Sequence, residues 1–340
     1  MAKNANLSNA KKAKNDEFYT RLEDIEKELN EYDPAVFKDK TIFCNCDDPT
    51  SSNFWIFFHM NFNRLGLKKL ITTHYNMDGS SSYAMTYDSK DPKDDIDFDK
   101  GTKIPLKGDG DFRSPECIDL LKQSDMVVTN PPFSLFREFV AQLEEYHKQF
   151  IIWGNNNAIT YKEIFPLIKD GKMWLGYRVN KTCYFKLSSD YPKWDEKFTA
   201  KMNDGNHYGK VPAISTFTNI DTKKRHHKLE TVYRWRKRKE KYPDLYPKFD
   251  NYDVIDIDKV LQIPLDYTGV MGVPITFLDK YNPDQFEIIE GSNRYAILDV
   301  FKQNANIQKH HSHGNNINGK AKYFRIFIKN KHPEDYQNDL

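Results

Sequence analysis

No run of about 18 apolar residues occurs in the 340-residue chain, so no segment reads as a membrane-spanning helix. Its first fifteen residues are rich in Lys and Asn and lack the apolar core of a secretory signal. Cysteine is scarce. Cys44, Cys46, Cys117 and Cys183 do not make a disulfide scaffold in a chain this long, and a reducing cytoplasm is the expected setting. Cys44 and Cys46 have no second cysteine pair nearby, which favours packing over metal ligation, and no metal is expected. Neither G-x-x-x-x-G-K-[ST] nor G-x-G-x-x-G is present, which excludes those two phosphate cradles. Internal repeats are absent as well. Net charge is slight, 51 Lys and Arg against 49 Asp and Glu.

Aromatic side chains are abundant: 5 Trp, 20 Tyr and 23 Phe, where disordered chains are aromatic-poor. With a mean hydropathy of −0.78, the core must lean on them. Charge is clustered rather than spread. Six acids fall within 88–99, and ten Lys or Arg within 223–241 against Glu230 and Glu240. One concentrated basic segment in a near-neutral chain suggests a local polyanion contact. The plainer reading is a solvated charged helix.

Periodicity predicts an α/β chain. Thr20 and Glu23 form a capping-box pattern ahead of Leu22, Ile25 and Leu29, and Asp33-Pro34 stops that helix. Short strands are expected at 41–44, 69–73, 103–106, 126–129 and 150–153. Helices are expected after Ser51 or Ser52, after Ser114-Pro115-Glu116, and around Leu135, Phe136, Phe139, Val140 and Leu143. The acidic 88–99 stretch reads as a loop. Strands alternating with amphipathic helices mark a doubly wound domain with a mostly parallel sheet. Segments 173–179, 183–187 and 213–220 complete the sheet with antiparallel character. A smaller α+β region follows the basic segment, with strand-like stretches at 270–278 and 323–328. The expected division is a mobile basic tail 1–15, a domain 16–222 and a region 223–340.

Ligands of open α/β sheets bind outside the carboxyl ends of the strands. Three such ends carry polar clusters: Asn45-Cys46-Asp47-Asp48-Pro49, Gly108-Asp109-Gly110-Asp111-Phe112 and Asn130-Pro131-Pro132-Phe133. Converging, they form a site rich in carboxylates and short of Lys and Arg. That is wrong for a triphosphate and suits a cofactor with a positive centre, such as S-adenosylmethionine. The Asn-Pro-Pro-Phe corner is the most informative. Two prolines remove two donors and leave bare carbonyls beside the Asn side-chain oxygen. Such a corner accepts two hydrogen bonds from one exocyclic amino group, while the adjacent ring stacks on a planar base. An aryl amine is a poor nucleophile, and acceptors on both N–H bonds stabilise the charge that develops as it attacks.

With Lys14-Asn15-Asp16-Glu17-Phe18-Tyr19-Thr20 and the stretch from Pro264 to Leu278, these clusters resemble the EcoRI-type adenine-specific DNA methyltransferases. The resemblance spans roughly residues 12–330 and is weakest between about 180 and 250. It implies a Rossmann-like S-adenosylmethionine-dependent fold, catalytic over 16–222 and target-recognising over 223–340. It also implies methyl transfer to N6 of an adenine flipped out of duplex DNA. Asn130 and the Pro131 carbonyl, framed by Pro132, hold the amino group, and Phe133 stacks on the base. Phe18, Tyr19 and Thr20 match the N-terminal cofactor segment. Asn45, Asp47 and Asp48 match the loop at the methionine end, with one of the two acids on the ammonium. Asp111 and Phe112 match the adenine subsite, Asp111 accepting from the cofactor amino group. Within the basic segment Arg234, Trp235, Arg236 and Arg238 are read as DNA contacts. A cognate restriction endonuclease sharing the site, without a stable complex, fits a type II system; an orphan enzyme needs none.

Two departures from the broader methyltransferase pattern stand out. The first cofactor loop lacks its usual glycines, and His74, Tyr75 and Asn76 stand where an acid often binds ribose. Bland alternatives accompany several residues: Thr20 as a mere cap, Asp109 as a turn residue, and His226-His227 and His310-His311-x-His313 as exposed polar groups. Other functions compatible with the corner are methylation of rRNA guanine N2 or of a protein Gln N5. A catalytically silent DNA-binding protein is a further alternative, against which the intact Asn130 argues.

Overall fold

A computed structural model describes residues 19–50, 52–76, 79–89, 101–186, 199–201, 207–250, 253–292 and 316–334. The tail, Phe18, most of the acidic 88–99 stretch and the histidines at 310–313 lie outside them. Two compact units form, Met1–Ala158 with Met173–Ile220, and Ile159–Lys172 with Asp221–Leu340.

The first unit is mixed α/β. Its four central strands are parallel: β2 (Thr41–Cys44), β3 (Lys69–Thr73), β6 (Met126–Thr129) and β7 (Gln149–Asn155), in the order β3-β2-β6-β7. They are short apolar runs, and Ile42, Phe43, Leu70, Ile71, Val127, Val128, Ile151 and Ile152 are fully buried. That is the mark of a sheet covered on both faces. The flanks are antiparallel, so the sheet is mixed where a mostly parallel one was expected. Beyond β3 lie β4 (Tyr83–Asp88) and β5 (Thr102–Pro105). The link from β3 to β4 is too short for a crossover, which forces the antiparallel pairing. β4 has no counterpart in the sequence reading. Beyond β7 lie β11 (His207–Thr218), β9 (Lys181–Lys186) and the two-residue β1 (Tyr19–Thr20), with β8 (Trp174–Leu175) and β10 (Thr199–Lys201) paired to β11. The antiparallel character expected of 173–220 is present.

Helices α1 (Leu22–Leu29), α2 (Asn53–Met60), the single turn α3 (Phe62–Leu65), α4 (Pro115–Gln123) and α5 (Phe136–Glu145) belong to this unit. Ser52 caps α2 by accepting from Phe54 and Trp55 N–H, and Ser114 caps α4 with Pro115 in the first turn. The capping box at α1 does not form. Arg21 is the N-cap and supplies no side-chain bond, because Thr20 is committed to the β1–β9 ladder opposite Phe185. Phe54, Trp55, Phe57 and Phe58 of α2 join Ile42, Leu70, Trp153 and Phe185 in the core. Each buried side chain of this size contributes about 1.5–3 kcal/mol.

The second unit has a four-stranded sheet, β12 (Val254–Asp256), β13 (Val270–Pro274), β17 (Arg325–Asn330) and β14 (Phe286–Gly291), in the order β12-β13-β17-β14. A separate pair joins β15 (Asn316–Ile317) to β16 (Lys320–Ala321). Helix α6 (Phe165–Lys169) docks here although it precedes β8 in the chain. Lys169 Nζ lies 2.8 Å from Glu290 Oε2, and the Phe165 and Phe324 rings are 5.5 Å apart. Buried Asp256 is bound by Arg325 Nε at 2.8 Å and Lys322 Nζ at 3.3 Å. No helix among the described residues is long and apolar enough to cross a membrane.

Candidate active site

The strand order of the first unit reverses at β2. The chain runs outward through β3, β4 and β5, returns to place β6 on the other side of β2, and moves on to β7. Pairing between β2 and β6 covers Ile42↔Met126 and Phe43↔Val127 and then stops. The two strands run on into loops at the topological switch point, where the crevice of an α/β sheet takes its ligands.

The β2 loop lines one wall. Cys46 has φ +63°, a left-handed backbone usually left to glycine and costing other residues about 1–2 kcal/mol. The tight turn that glycines commonly supply is thus made without them. It turns the two acids in opposite directions. Asp47 points inward and is 4% exposed; its Oδ1 accepts from Ser52 Oγ at 3.0 Å, and its Oδ2 lies 2.5 Å from Thr129 Oγ1. Burial drives this carboxyl up to about 7, against the Thr129 and Ser52 contacts that favour the charge. Asp48 faces outward. Its Oδ1 accepts from Thr50 N at 3.0 Å and from the Tyr83 hydroxyl at 3.1 Å, and its Oδ2 has His74 Nδ1 at 3.7 Å. Asn45 is buried, and its Oδ1 has no hydrogen-bond partner.

Thr20 joins this wall from β1. Its carbonyl accepts from Asn53 Nδ2 at 2.7 Å, and its Oγ1 is buried without a partner. Two polar oxygens left unpaired in one region are costly unless a ligand answers them.

The other wall is the turn after β6. Thr129, Asn130, Pro131 and Pro132 are buried, and Phe133 is half-buried at the start of the short turn Phe133–Leu135 that leads into α5. The Phe133 ring stands 6.3 Å from that of Phe185, the residue paired with Thr20. Asn130, Phe133, Thr20, Asn45, Asp47 and Asp48 are therefore brought to one edge.

The loop after β5 closes the same edge from the β3 side. Asp109 accepts from Asn76 N through its carbonyl at 2.7 Å and from Asp111 N through Oδ1 at 3.0 Å, so it is a turn residue. Gly110 has φ +87°, and a Cβ there would collide with the His74 carbonyl oxygen. Only glycine lets the loop approach β3 so closely. Asp111 receives Arg113 Nε at 2.9 Å and Nη2 at 2.7 Å. Burial would raise the Asp111 carboxyl, but the hydrogen bonds from Arg113 hold it below its ordinary value. The Phe112 ring is buried against Phe139 at 5.1 Å, so its side chain is spent on packing α5. Sequence reasoning missed Tyr83, which reaches the site from β4, and left His74 and Asn76 without roles. The structure joins those two by a 2.9 Å hydrogen bond and sets the His74 ring 5.3 Å from Tyr83. Their signal was the polar run directly after a buried strand.

The basic segment belongs to the second unit and is not one helix. A short turn (Lys223–His226) is followed by coil, a bridge from Tyr233 to Pro264, and the seven-residue α7 (Trp235–Lys241). Arg234 lies 3.3 Å from Glu334, and Trp235 N donates to Asp266 at 2.6 Å. Arg236 is exposed, and the Arg238 guanidinium stands 4.4 Å from the Tyr233 ring centre. Tyr233, Arg238, Lys241 and Tyr242 line a cleft of about 510 Å³. Among the described residues no group of His, Cys, Asp and Glu is arranged to hold a metal ion.

Comparison with known proteins adds the family. The model described as adenine-specific methyltransferase EcoRI matches residues 6–331. The type II methyltransferase M.MpnI of Mycoplasma pneumoniae is 46% identical over 329 residues, 96% of this chain and 98% of its own. M.MgeORF184P of Mycoplasma genitalium is 44% identical over 328 residues, 95% and 98% of the two chains. M.EcoRI of Escherichia coli is 45% identical over 344 residues, 97% and 99%. No solved structure matches the chain. The matches take in nearly all of both units, so the chain belongs, along nearly its whole length, to the EcoRI family of adenine-specific DNA methyltransferases.

Proposed function

We propose that the chain transfers the methyl group of S-adenosylmethionine to N6 of an adenine flipped out of duplex DNA, in the crevice between β2 and β6. The observation that carries this is the Asn130-Pro131-Pro132-Phe133 turn, set at the point where the strand order reverses and facing the β2 loop. The residues present fit the cofactor. Thr20 Oγ1 and Asn45 Oδ1 are buried and unanswered, and the β2 loop offers carboxylates and no cation. Asp48, turned outward, meets the methionine ammonium, while Phe18, Tyr19 and Thr20 meet the carboxylate end. Asp111 accepts from the cofactor adenine amino group through lone pairs that Arg113 leaves unused, since each carboxylate oxygen has two. Phe112 contributes backbone there rather than its ring. When bound, the cofactor supplies an electrophilic methyl group on a positively charged sulfur.

The chain's own part is to position and polarise the acceptor. The Asn130 side chain and the Pro131 carbonyl accept the two amino N–H bonds. These acceptors are fixed by burial and by two prolines, so they need little reorganisation as positive charge grows on N6. Phe133 stacks on the flipped base. The doubly wound, Rossmann-like reading of 16–222 and the target-recognition role of 223–340 belong to this proposal. So do phosphate contacts by Arg234, Arg236 and Arg238 with Trp235 beside them, a cytoplasmic setting, and a cognate endonuclease acting separately on the same site.

Tritium transfer from labelled S-adenosylmethionine tests it. Duplex DNA is expected to take the label, and rRNA and protein not; Asn130→Ala slows it about 100- to 1000-fold. Label on rRNA or protein instead of DNA overturns the reading. A methylome of cells expressing the chain then gives the recognition sequence.

A further inference from the structure

Two adjacent acids stand in the β2 loop, and the sequence does not separate their roles. A count of protons does. Thr129 Oγ1 is in hydrogen-bond contact with two oxygens, the Asn45 carbonyl and Asp47 Oδ2. A hydroxyl has one proton and a carbonyl oxygen has none. One hydroxyl proton serves both contacts only by being shared, as Thr72 Oγ1 shares its own between the carbonyls of Cys44 and Asp47; a proton on buried Asp47 gives each contact its own. That proton belongs on Oδ2, because Oδ1 is taken by Ser52 Oγ–H, and Ser52 Oγ itself accepts from Phe54 N and Trp55 N. We propose that Asp47 is a positioning residue: as a neutral carboxylic acid it donates to Thr129 Oγ1, which donates to the Asn45 carbonyl, and this relay clips the end of β2 to the residue before Asn130.

The proposal rests on the reading of the β2–β6 crevice as the active site. Backbone pairing across it ends at Phe43↔Val127. Beyond that pair, side chains must set the spacing between the Asn45 loop and the Asn130 corner. Asp47 is buried, and its raised carboxyl agrees with the neutral form. The titratable groups around it are Asp48 on the same loop, Cys44 at the end of β2 and, beyond Asp48, His74 at the end of β3. Its contacts from α2 and β6 are the neutral Ser52 and Thr129. When Asp47 ionises, Oδ2 takes the Thr129 proton and the Asn45 carbonyl loses it, so the clip opens at its β2 end.

Three variants of the full chain test this, with S-adenosylmethionine affinity read by titration calorimetry. An amide nitrogen at Asp47→Asn donates where the acid did, so affinity stays within a few-fold of wild type. Asp47→Ala breaks the relay and weakens binding about 10-fold or more, as loss of a buried hydrogen-bond partner does. Asp48→Asn also weakens binding, since it removes the charge facing the ammonium. Two readouts need no cofactor. The infrared difference between wild type and Asp47→Asn below pH about 7 shows the carbonyl stretch of a protonated carboxyl. Wild type also loses stability relative to Asp47→Asn as pH rises from the ordinary 3.8 to about 7, because the folded state holds the proton longer than the unfolded chain. Cofactor loss in Asp47→Asn equal to that in Asp47→Ala, or absence of the protonated band, overturns the proposal. Failure of the crevice reading looks different: Asn130→Ala and Asp48→Asn then leave turnover and cofactor affinity intact, while the infrared band still decides the state of Asp47.

Discussion

The β2–β6 crevice and the basic segment are both polar, and they are polar in opposite ways. At the crevice most of the hydrogen-bonding groups are buried, Thr20, Asn45, Asp47, Thr129 and Asn130 among them. On 234–241 the charges are exposed, paired as Arg234 is with Glu334, or set over aromatic rings, as Arg238 is over Tyr233 and Lys239 over Trp235 at 4.7 Å. A mispaired group costs a great deal in the first setting and little in the second, because water answers it there. The crevice therefore suits discrimination between atoms and the basic segment suits attraction to a charged polymer.

That contrast is sharpest at Asn130. Asn130→Ala is expected to lower turnover about 100- to 1000-fold with little change in cofactor affinity, because its interaction strengthens as charge develops. Near-normal rates in single-turnover assays would remove the crevice from the chemistry. A smaller effect is expected at Phe133, where stacking on the flipped base is worth about 1–3 kcal/mol. Phe133→Ala should lose that amount and Phe133→Tyr little. A 2-aminopurine at the target position should brighten on binding wild type as it leaves the base stack. Full activity of Phe133→Ala with no brightening would break the link between this ring and flipping.

The basic segment is expected to respond in salt dependence rather than in rate. Taking one cation off a phosphate lowers the log K against log[salt] slope by about 0.9. Neutralising Arg234, Arg236 and Arg238 together should flatten it by about two to three units and leave cofactor affinity unchanged. Since Arg234 already has Glu334 at 3.3 Å, Arg236 and Arg238 should account for most of the change. An unaltered slope would make the segment surface charge only, and the contrast with the crevice would lose its second half.

The parts of the fold legible in the sequence are those whose signal is local. The central strands are short apolar runs buried on both faces, and Ser52 and Ser114-Pro115 announce their helices through atoms two or three residues away. Thr20 misled because a capping pattern is local, while its actual partner, Phe185, is 165 positions off. β4 escaped notice because Tyr83-Ala84-Met85-Thr86-Tyr87-Asp88 has no clean alternation; Tyr87 is buried by packing against His59 and Phe62, which lie far off in the chain. The place of the Asn130 turn at the end of β6 was legible because its four residues are consecutive and directly follow a buried apolar run. The direction of each loop acid was not. Asp47 and Asp48 are identical in type and adjacent, and the left-handed Cys46 between Asn45 and Asp47 turns one inward and the next outward.

The excursion 159–172 has a consequence for synthesis on the ribosome. This stretch emerges before the residues it docks on: Phe165 packs against Phe324 and Lys169 pairs with Glu290, both made later. At bacterial and eukaryotic translation speeds the wait is on the order of 10 s. Meanwhile the sheet of the first unit is itself incomplete, since β7 gains β11 only once residues 207–218 are made. No single cut separates the units, because the chain crosses between them three times, near 158, 172 and 220. A chain truncated after 220 should therefore carry an orphaned apolar helix, and the two units should be recovered together or not at all.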